Sequence, residues 1–388
     1  MRLMSRSLLT AAACALLANA APAFDTSAEA AYVVDQTTGT VLLAKQADEP
    51  LPPASMSKLM TLYITFEAIR EGRLQLDERL PVSAHAMSFG GSTMFLDTTD
   101  RVRVEDLLRG IIVLSGNDAC VVLAEALSPD GTEAGFARMM TQRAQQLGMT
   151  SSVFKNASGW PAEGHVMSAR DLSLLASKII EDFPDFYPMF AETRFEFDGR
   201  APSNVNNRNP LLGLGIGADG LKTGHTQEAG YGLVGSAQNG DRRVTFTING
   251  LDTARARAEE AEAIVNWAFR QFAEQTVVTE GQSIATAEVW MGAAETVGLV
   301  SEQDVRLLLP TMTPGGIKAE VVYTGPIQAP VAKGQTLAEL IIQPEGLPVT
   351  RLPLVAAESV EAGGFMDRMM KVSGMLLQRF SEDTGDAM

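Results

Sequence analysis

The chain has 388 residues, of which 46% are hydrophobic, and its formal net charge is −16. This length exceeds what one hydrophobic core usually organises, so we expect two folded domains. The acidic balance argues against a nucleic-acid partner. The three histidines and two cysteines show no metal-ligand spacing, which argues against a zinc peptidase. We therefore predict neither a metal nor a cofactor.

Residues 1–23 have the pattern of an export signal. Two arginines precede a short apolar stretch, and Ala21-Pro22-Ala23 offers a cleavage site of small residues. The apolar stretch is too short for a comfortable transmembrane helix. We expect cleavage before Phe24 or, alternatively, after Ala20, and hence an exported protein.

Ser55-Met56-Ser57-Lys58 is the first of three motifs that carry chemistry. Residues three apart on a helix lie on one face, about 4.5 Å apart along the axis, so Ser55 and Lys58 can meet. Prolines block a helix upstream, and the apolar run 59–66 suits a helix buried nearly all round. Ser55 would then lie at a helix N-terminus, where the dipole favours developing negative charge. Burial, the same field and a second lysine would shift Lys58 toward its neutral form, which can act as a general base.

The same pattern occurs again at Ser152-Val153-Phe154-Lys155, so two fixed residues alone prove little. The second copy is followed by Asn156-Ala157-Ser158-Gly159, a turn-rich stretch with no apolar helix behind it. We interpret the second copy as an ordinary loop. The first copy is the candidate catalytic motif.

Ser115-Gly116-Asn117 lies between two apolar helical patterns and is predicted to form a tight turn. Serine and asparagine in such a turn usually cap the next helix, although Asp118 could take that role. The alternative is catalytic. Ser115 would relay a proton between Lys58 and the leaving group, and Asn117 would orient Lys58 and hydrogen-bond the substrate amide.

Lys222-Thr223-Gly224 is the third motif, and it is followed by His225 and a strand-like stretch at 230–236. A lysine on a strand most often points into solvent. Its pairing with a threonine and a glycine suggests instead a cation and a hydroxyl that hold a terminal carboxylate. The glycine would leave room for a peptide along the strand edge. The three motifs in this order indicate an acyl transferase with an active-site serine.

On these motifs the chain resembles the serine-type D-alanyl-D-alanine carboxypeptidases, which are low-molecular-mass penicillin-binding proteins. The stretches 31–42, 48–55, 207–209 and 219–226 also resemble that family. The resemblance implies a multidomain α/β (α+β) protein. Its catalytic domain, residues 24–275, would have the serine β-lactamase and transpeptidase fold, an antiparallel sheet flanked by helices with a helical subdomain.

The resemblance also implies roles for individual residues. Ser55 would be the nucleophile, Lys58 the base and Ser115 the proton donor to the departing D-alanine. The substrate would be a peptidoglycan stem peptide ending in D-Ala-D-Ala, and β-lactam antibiotics would acylate the same serine. His165 falls in a loop that the family places beside the site, where it could influence deacylation. The expected substrate-binding residues are Asn117, Lys222, Thr223, Gly224 and His225, the last through its backbone N–H.

After residue 275 the sequence changes to short β-type runs broken by glycine and proline, which predicts a small β-sandwich at 276–357. Residues 358–388 would form a linker and an amphipathic helix, because the apolar residues from Phe365 to Phe380 fall within an arc of roughly 160°. The opposite side carries a net positive charge. This pattern suits a helix lying on an anionic membrane, with docking on its own protein as the alternative. Together with the resemblance, it predicts a periplasmic protein attached peripherally to the outer face of the cytoplasmic (inner) membrane.

Three other functions share the same motifs. A β-lactamase must hydrolyse its acyl-enzyme rapidly, and no obvious Glu-x-x-Leu-Asn element lies between Ser115 and Lys222 to activate the water. A D,D-endopeptidase that cuts peptide crosslinks is not excluded by the motifs. A non-catalytic wall-binding or β-lactam-sensing module would acylate without turnover, and the sensor version normally needs a membrane-spanning segment, which the sequence does not show.

Overall fold

The computed structural model of the protein describes residues 24–200, 203–311, 318–343, 347, 349–364 and 369. The predicted export signal, residues 1–23, lies outside these residues. The predicted C-terminal amphipathic helix, apart from Met369, also lies outside them.

Strands open the described chain, helices dominate from residue 58 to residue 182, and strands take over after residue 271. The described helices are α1 (Lys58–Arg70), α2 (Ala84–Met87), α3 (Val104–Arg109), α4 (Asn117–Leu127), α5 (Glu133–Gln146), α6 (Ala169–Asp182) and α7 (Ala254–Gln271). The described strands are β1 (Ala30–Asp35), β2 (Thr40–Lys45), β3 (Arg79–Pro81), β4 (Arg101–Arg103), β5 (Ala218–Thr226), β6 (Gly230–Asn239), β7 (Arg242–Leu251), β8 (Phe272–Val278), β9 (Ser283–Trp290), β10 (Thr296–Val300), β11 (Val305–Pro310), β12 (Lys318–Val322), β13 (Ile327–Gln328), β14 (Thr336–Gln343) and β15 (Thr350–Ala356).

A five-stranded antiparallel sheet with the order β2-β1-β7-β6-β5 forms the frame of the catalytic domain. Successive side chains of a strand point to opposite faces. On one face, Phe246 and Ile248 of β7 belong to the same core as Ile264 of α7. On the other face, Thr247 shares a 2.9 Å hydrogen bond with Ser173 of α6. The sheet is therefore covered by helices on both faces, and β5 lies at one end of the strand order.

The helical subdomain surrounds α1. Every residue of α1 from Lys58 to Ala68 is buried, because α4, α5 and α6 pack against it. The prediction of a helix buried nearly all round is confirmed. Other helices begin with a hydroxyl cap, since Thr132 accepts from the Gly135 N–H at α5 and Ser168 from the Asp171 N–H at α6.

The C-terminal part is a separate β domain with its own core. It contains a six-stranded sheet, β12-β14-β15-β10-β9-β13, and the two-stranded pair β11-β8. Strand β8 joins the two parts: Phe272 at its start belongs to the core of the catalytic sheet, and Val278 at its end belongs to the β-domain core. The predicted fold class is confirmed for the α/β catalytic domain and the β domain. The predicted limits, 24–275 and 276–357, stay predictions.

Candidate active site

Ser55 lies in a short 3₁₀ helix, Ala54–Ser57, that runs directly into α1. The predicted meeting of Ser55 and Lys58 is present. Lys58 Nζ donates to Ser55 Oγ at 2.8 Å and to the carbonyl oxygen of Ser158 at 2.6 Å. Lys58 is fully buried, whereas Ser55 is partly exposed. A hydroxyl that a substrate can reach is thus bonded to an amine that water does not reach.

Burial controls the protonation of Lys58, because an ammonium group loses its hydration inside the protein. Burial and the positive charge of Arg208 lower the pKa of Lys58 to about 8, although the Asp118 carboxylate opposes the shift. A useful fraction of the amine is then neutral near physiological pH, as a general base requires. The sequence had suggested a second lysine as the neighbouring cation. In the structure, the neighbouring cation that helps burial to lower the pKa of Lys58 is Arg208.

Ser115 occupies the turn between a π-helical segment, Gly110–Leu114, and α4. Its φ of +63° lies in the left-handed region, which is uncommon for a residue other than glycine. Its Oγ is buried and has no hydrogen-bond partner among the described residues. The N-cap residue of α4 is Gly116, which has no side chain, so Ser115 and Asn117 do not cap the helix. The Asp118 carboxylate accepts from the Ala119 N–H in the first turn at 2.9 Å, as the alternative for this residue expected. An unpaired buried hydroxyl remains available to a bound substrate.

Asn117 and Asp118 hold the loop of residues 90–96, which precedes the Ser115-Gly116-Asn117 motif in the chain. Asn117 donates from Nδ2 to the carbonyl oxygen of Gly90 at 2.8 Å, and the Asp118 carboxylate accepts from the N–H groups of Met94 and Leu96 at 3.0 Å and 3.1 Å. Among the described residues, Lys58 hydrogen-bonds to Ser55 and Ser158, and the orientation of Lys58 by Asn117 stays a prediction.

Lys222 and Thr223 lie on β5, at the end of the sheet order, and both are buried. Lys222 Nζ donates to the carbonyl oxygen of Thr223 at 3.2 Å. Burial, followed by the charges of Lys58 and Arg208, holds the pKa of Lys222 well below its usual range. An arriving carboxylate would favour the charged ammonium, because opposite charges in a dry site attract strongly.

Gly224 brings β5 against the turn that carries Ser55. A side-chain carbon at this glycine would lie 3.0 Å from the carbonyl oxygen of Pro53 and 3.1 Å from Met56 Cγ. The sequence had explained this glycine by room for a peptide. The structure adds a second reason, the close approach of strand and nucleophile.

The imidazole of His225 turns toward β6. Its ring stacks on Tyr231 with centroids 3.7 Å apart and an angle of 11° between the rings, and Nδ1 donates to the Gly230 carbonyl oxygen at 3.1 Å. The ring is thus held by Gly230 and Tyr231 at the start of β6. The backbone N–H of His225 is the group that the sequence analysis assigned to the site.

Sequence reasoning missed two arginines. Arg208 donates to Ser92 Oγ at 2.8 Å and to the Leu114 carbonyl oxygen at 3.0 Å, and its charge lowers the pKa of both Lys58 and Lys222. Arg257 on α7 is 9% exposed, and its Nε has no hydrogen-bond partner in the part of the chain that the structure describes. Its charge also lowers the pKa of Lys222. The site therefore combines three buried basic side chains, those of Lys58, Lys222 and Arg257, with the exposed Arg208. Arg208 stood in a stretch already matched to the family, whereas Arg257 gave no signal within an Ala- and Arg-rich helix start.

His165 is buried behind the nucleophile turn. Its Nδ1 accepts from the N–H of Lys155 at 3.3 Å, so Nε2 carries the proton and donates to Ser57 Oγ at 2.8 Å. Burial and the nearby charges of Lys58 and Lys155 lower the pKa of His165 to about 4. The neutral imidazole therefore ties the loop after Lys155 to the turn that carries Ser55.

Two family models match the chain. The D-alanyl-D-alanine carboxypeptidase model, Peptidase S11, covers residues 17–253, and the model of the penicillin-binding protein 5 C-terminal domain covers residues 272–362. D-alanyl-D-alanine carboxypeptidase DacC of Escherichia coli is 36% identical over 358 residues, which are 90% of this chain and 88% of that protein.

Solved structures agree with the family models. The crystal structure of penicillin-binding protein 5 from Haemophilus influenzae has a TM-score of 0.71 at 31% identity, covering 87% of this chain and 98% of that one. Penicillin-binding protein D2 from Listeria monocytogenes, in its ampicillin-bound form, has a TM-score of 0.57 at 34% identity and covers 63% of this chain and 98% of its own.

Fold and sequence together define a serine peptidase of the penicillin-binding class. The chain belongs to the D-alanyl-D-alanine carboxypeptidase family, Peptidase S11. It is accordingly a serine-type carboxypeptidase, a hydrolase, as the family resemblance implied.

Proposed function

We propose that the protein removes the terminal D-alanine from peptidoglycan stem pentapeptides through an acyl-enzyme at Ser55. The 2.8 Å hydrogen bond from Lys58 Nζ to Ser55 Oγ carries this proposal. It joins a partly exposed hydroxyl to a buried amine whose pKa is lowered to about 8. An amine of that kind can take the proton of the attacking serine.

Acylation would begin with attack of Ser55 Oγ on the carbonyl carbon of the penultimate D-alanine, while Lys58 accepts the hydroxyl proton. The C–N bond to the terminal D-alanine then breaks, and Ser115 delivers a proton to the departing amine. The backbone N–H groups of Ser55 and His225 would hold the oxyanion, and one such donor is typically worth about 10²–10³ in rate. Water then attacks the ester and releases the shortened peptide and Ser55.

The terminal carboxylate would bind to Lys222 and Thr223, with Asn117 and Gly224 lining the path of the peptide. The exposed Arg208 and the buried Arg257 support this orientation, because both lower the pKa of Lys222 and thus add positive potential at the carboxylate site. A cluster of cations is stabilised when an anion binds. The free enzyme would therefore favour substrates with a free C-terminus.

β-Lactams would acylate Ser55 as well, since they mimic the terminal dipeptide and leave a bulky group that obstructs water. Ampicillin is bound in the structure of the related Listeria protein. We also propose that the mature protein starts after the signal at residues 1–23, works in the periplasm and attaches to the inner membrane through the helix in residues 358–388. Among the described residues, no helix is both long and apolar enough to cross a membrane.

Mass spectrometry after incubation with a D-Ala-D-Ala-terminated peptide and, separately, with penicillin tests the reaction. We expect release of one D-alanine and a covalent penicillin adduct on Ser55. Faster turnover of a crosslinked peptide dimer than of the pentapeptide would indicate an endopeptidase, and rapid loss of the penicillin adduct would indicate a β-lactamase. Acylation by both compounds without turnover would indicate a non-catalytic module.

Deletion of residues 365–388 tests the membrane attachment. The shortened protein should no longer sediment with vesicles of anionic lipid, and it should hydrolyse a soluble peptide at the rate of the full chain. Continued sedimentation would contradict the proposed attachment.

A further inference from the structure

The loop of residues 156–160 contacts both the buried amine and the nucleophile turn. The Ser158 carbonyl oxygen accepts from Lys58 Nζ at 2.6 Å. Gly159 lies against the nucleophile turn, since a side-chain carbon at this glycine would lie 1.9 Å from the Ala54 carbonyl oxygen. The position of this loop therefore sets the position of the amine relative to the hydroxyl that it activates.

The loop is fixed from outside at the residue before Ser158. Asn156 Oδ1 accepts from the N–H groups of residues 158–160, so these three donors are bonded within the loop. The N–H of the buried Ala157 instead donates to Glu133 Oε1 at 3.0 Å. Glu133 is the first residue of α5, and its side chain is only 10% exposed. One carboxylate thus ties the loop to a helix.

The second oxygen of the same carboxylate is held by His85 of α2. Nε2 of this exposed imidazole donates to Glu133 Oε2 at 3.1 Å. The imidazole also makes an edge contact with Phe89, with 5.2 Å between ring centroids. A carboxylate with a partner on each oxygen has a defined orientation. His85 therefore orients the oxygen that accepts from Ala157.

Glu133 could serve its own helix alone, because a carboxylate in the first turn favours the positive end of the helix dipole. Thr132, however, already caps α5 by accepting from the Gly135 N–H at 3.0 Å. Both oxygens of Glu133 have partners outside α5. The carboxylate therefore joins three parts of the helical subdomain: α2, α5 and the loop of residues 156–160.

We propose that Glu133 and His85 are positioning residues for acylation, and this inference rests on the proposed function of Lys58 as the base. The His85–Glu133 pair holds the backbone at Ala157, so that the Ser158 carbonyl oxygen keeps the lysine amine directed at the nucleophile. The hydrogen bonds of the pair end at the loop. The pair therefore acts on the rate of the chemical step and leaves the binding of a ligand unchanged.

The rate constant of acylation by a fluorescent penicillin, measured at several penicillin concentrations, tests the pair. Glu133→Ala leaves the Ala157 N–H without its acceptor, and the rate constant should fall about tenfold, since small misplacements of reacting groups are costly. The half-saturating penicillin concentration should stay at the wild-type value. Glu133→Gln keeps an oxygen for that N–H and should recover most of the rate. His85→Ala should slow acylation about two- to threefold, because exposed pairs are weak.

The double variant His85→Ala/Glu133→Ala tests the route of the effect. If His85 acts only through Glu133, the double variant should be no slower than Glu133→Ala, because both changes remove one chain of contacts. Additive losses would contradict this route. A merely structural role would lower the amount of protein that labels and leave the rate constant of the folded fraction unchanged, and that result in both single variants would overturn the inference.

Glu125→Ala is the matched control. Glu125 is a half-buried carboxylate of the same subdomain, and it accepts from Oγ of Ser83, the N-cap residue of α2, at 2.9 Å. This variant should keep the wild-type rate constant, and a loss equal to that of Glu133→Ala would assign the effect to general loosening and overturn the pair. If Glu133→Ala failed to fold, His85→Ala would decide, because removal of an exposed side chain leaves no cavity in the core. An unchanged rate constant there would then overturn the inference.

Release of D-alanine from a stem peptide, measured in parallel, separates failure of the pair from failure of the proposed function. If penicillin labels Ser55 and no peptide is hydrolysed, the proposed function fails, and the rate constants of labelling still report on the pair. If the peptide is hydrolysed and all variants label at one rate, the proposed function stands and the positioning role is wrong.

Discussion

Two copies of the Ser-x-x-Lys pattern lie in one domain, and only the first brings its serine and lysine side chains together. In the first copy, a helical turn brings Lys58 Nζ to Ser55 Oγ at 2.8 Å. In the second copy, Ser152 Oγ donates to the Asp171 carboxylate at 2.7 Å, and the Lys155 side chain is exposed. The sequence interpretation of the second copy as a loop is confirmed. The pattern brings its two side chains together only where a buried helix follows it.

The second copy supports the first in another way. The N–H of Lys155 donates to His165, which in turn donates to Ser57 inside the first copy. The loop between them also supplies the Ser158 carbonyl oxygen that accepts from Lys58. One copy thus provides reacting groups, and the other belongs to the loop that positions them.

Replacement of the two lysines is the strongest test of this contrast. Lys58→Ala should lower the rate of acylation by a fluorescent penicillin by about 10²–10⁴, the usual contribution of a general base. Lys155→Ala keeps the backbone N–H bonded to His165 and should label at nearly the wild-type rate. The labelling rates of both variants are measured, and circular dichroism checks that both are folded. Undiminished labelling of folded Lys58→Ala would exclude this lysine as the base.

Replacement of His165, which links the two copies, should have a smaller effect on the rate of acylation. His165→Ala frees the loop that holds the Ser158 carbonyl oxygen, and we expect acylation to slow by about tenfold, since small misplacements of reacting groups are costly. His165→Gln can still donate to Ser57 and should recover part of the rate.

A double-mutant cycle with Ser57→Ala identifies the cause. If His165 acts through Ser57, the double variant should be no slower than the slower single variant, because both changes remove one interaction. Additive losses would contradict a role for His165 as a positioning residue.

The pH profile tests what makes the first lysine different. Acylation needs the neutral amine, so its rate should rise with pH through the pKa of Lys58, about 8. Arg208→Gln removes a charge that lowers this pKa, so the profile should move to higher pH and the rate at pH 7 should fall about two- to tenfold. Arg208→Lys keeps the charge and should keep the midpoint. An unmoved midpoint in Arg208→Gln would show that the charge of Arg208 does not contribute to this pKa.

Much of the fold could be read from local patterns. The apolar run after Lys58 predicted α1, and the short β-type runs after residue 275 predicted the strands of the β domain. These elements follow from periodicity within a few residues. The ring of helices around α1 and the order of the strands depend on contacts distant in sequence. The family resemblance supplied only the general layout, an antiparallel sheet flanked by helices with a helical subdomain.

The site residues also fall into those that a local pattern predicts and those that depend on contacts distant in sequence. The Ser55 and Lys58 pair follows from helical spacing, which one motif contains. Arg257, Arg208 and His165 reach the site from other elements, and no spacing links them to it. The close approach of Gly224 to Pro53 was hidden for that reason too, because a glycine in a motif does not show which backbone it faces.

The smallest effect on the reaction should come from Ser152→Ala. Its hydroxyl donates to Asp171, a buried carboxylate that also accepts from the Ser151 N–H at 2.9 Å. Losing a hydrogen bond to a charged group costs about 1.5–3 kcal/mol of stability, so the free energy of unfolding should fall while the rate of penicillin labelling at 25 °C stays at the wild-type value. Urea unfolding and labelling of one preparation measure both. A large loss of labelling in the folded variant would show that the second serine takes part in the reaction, and the contrast between the two copies would fail.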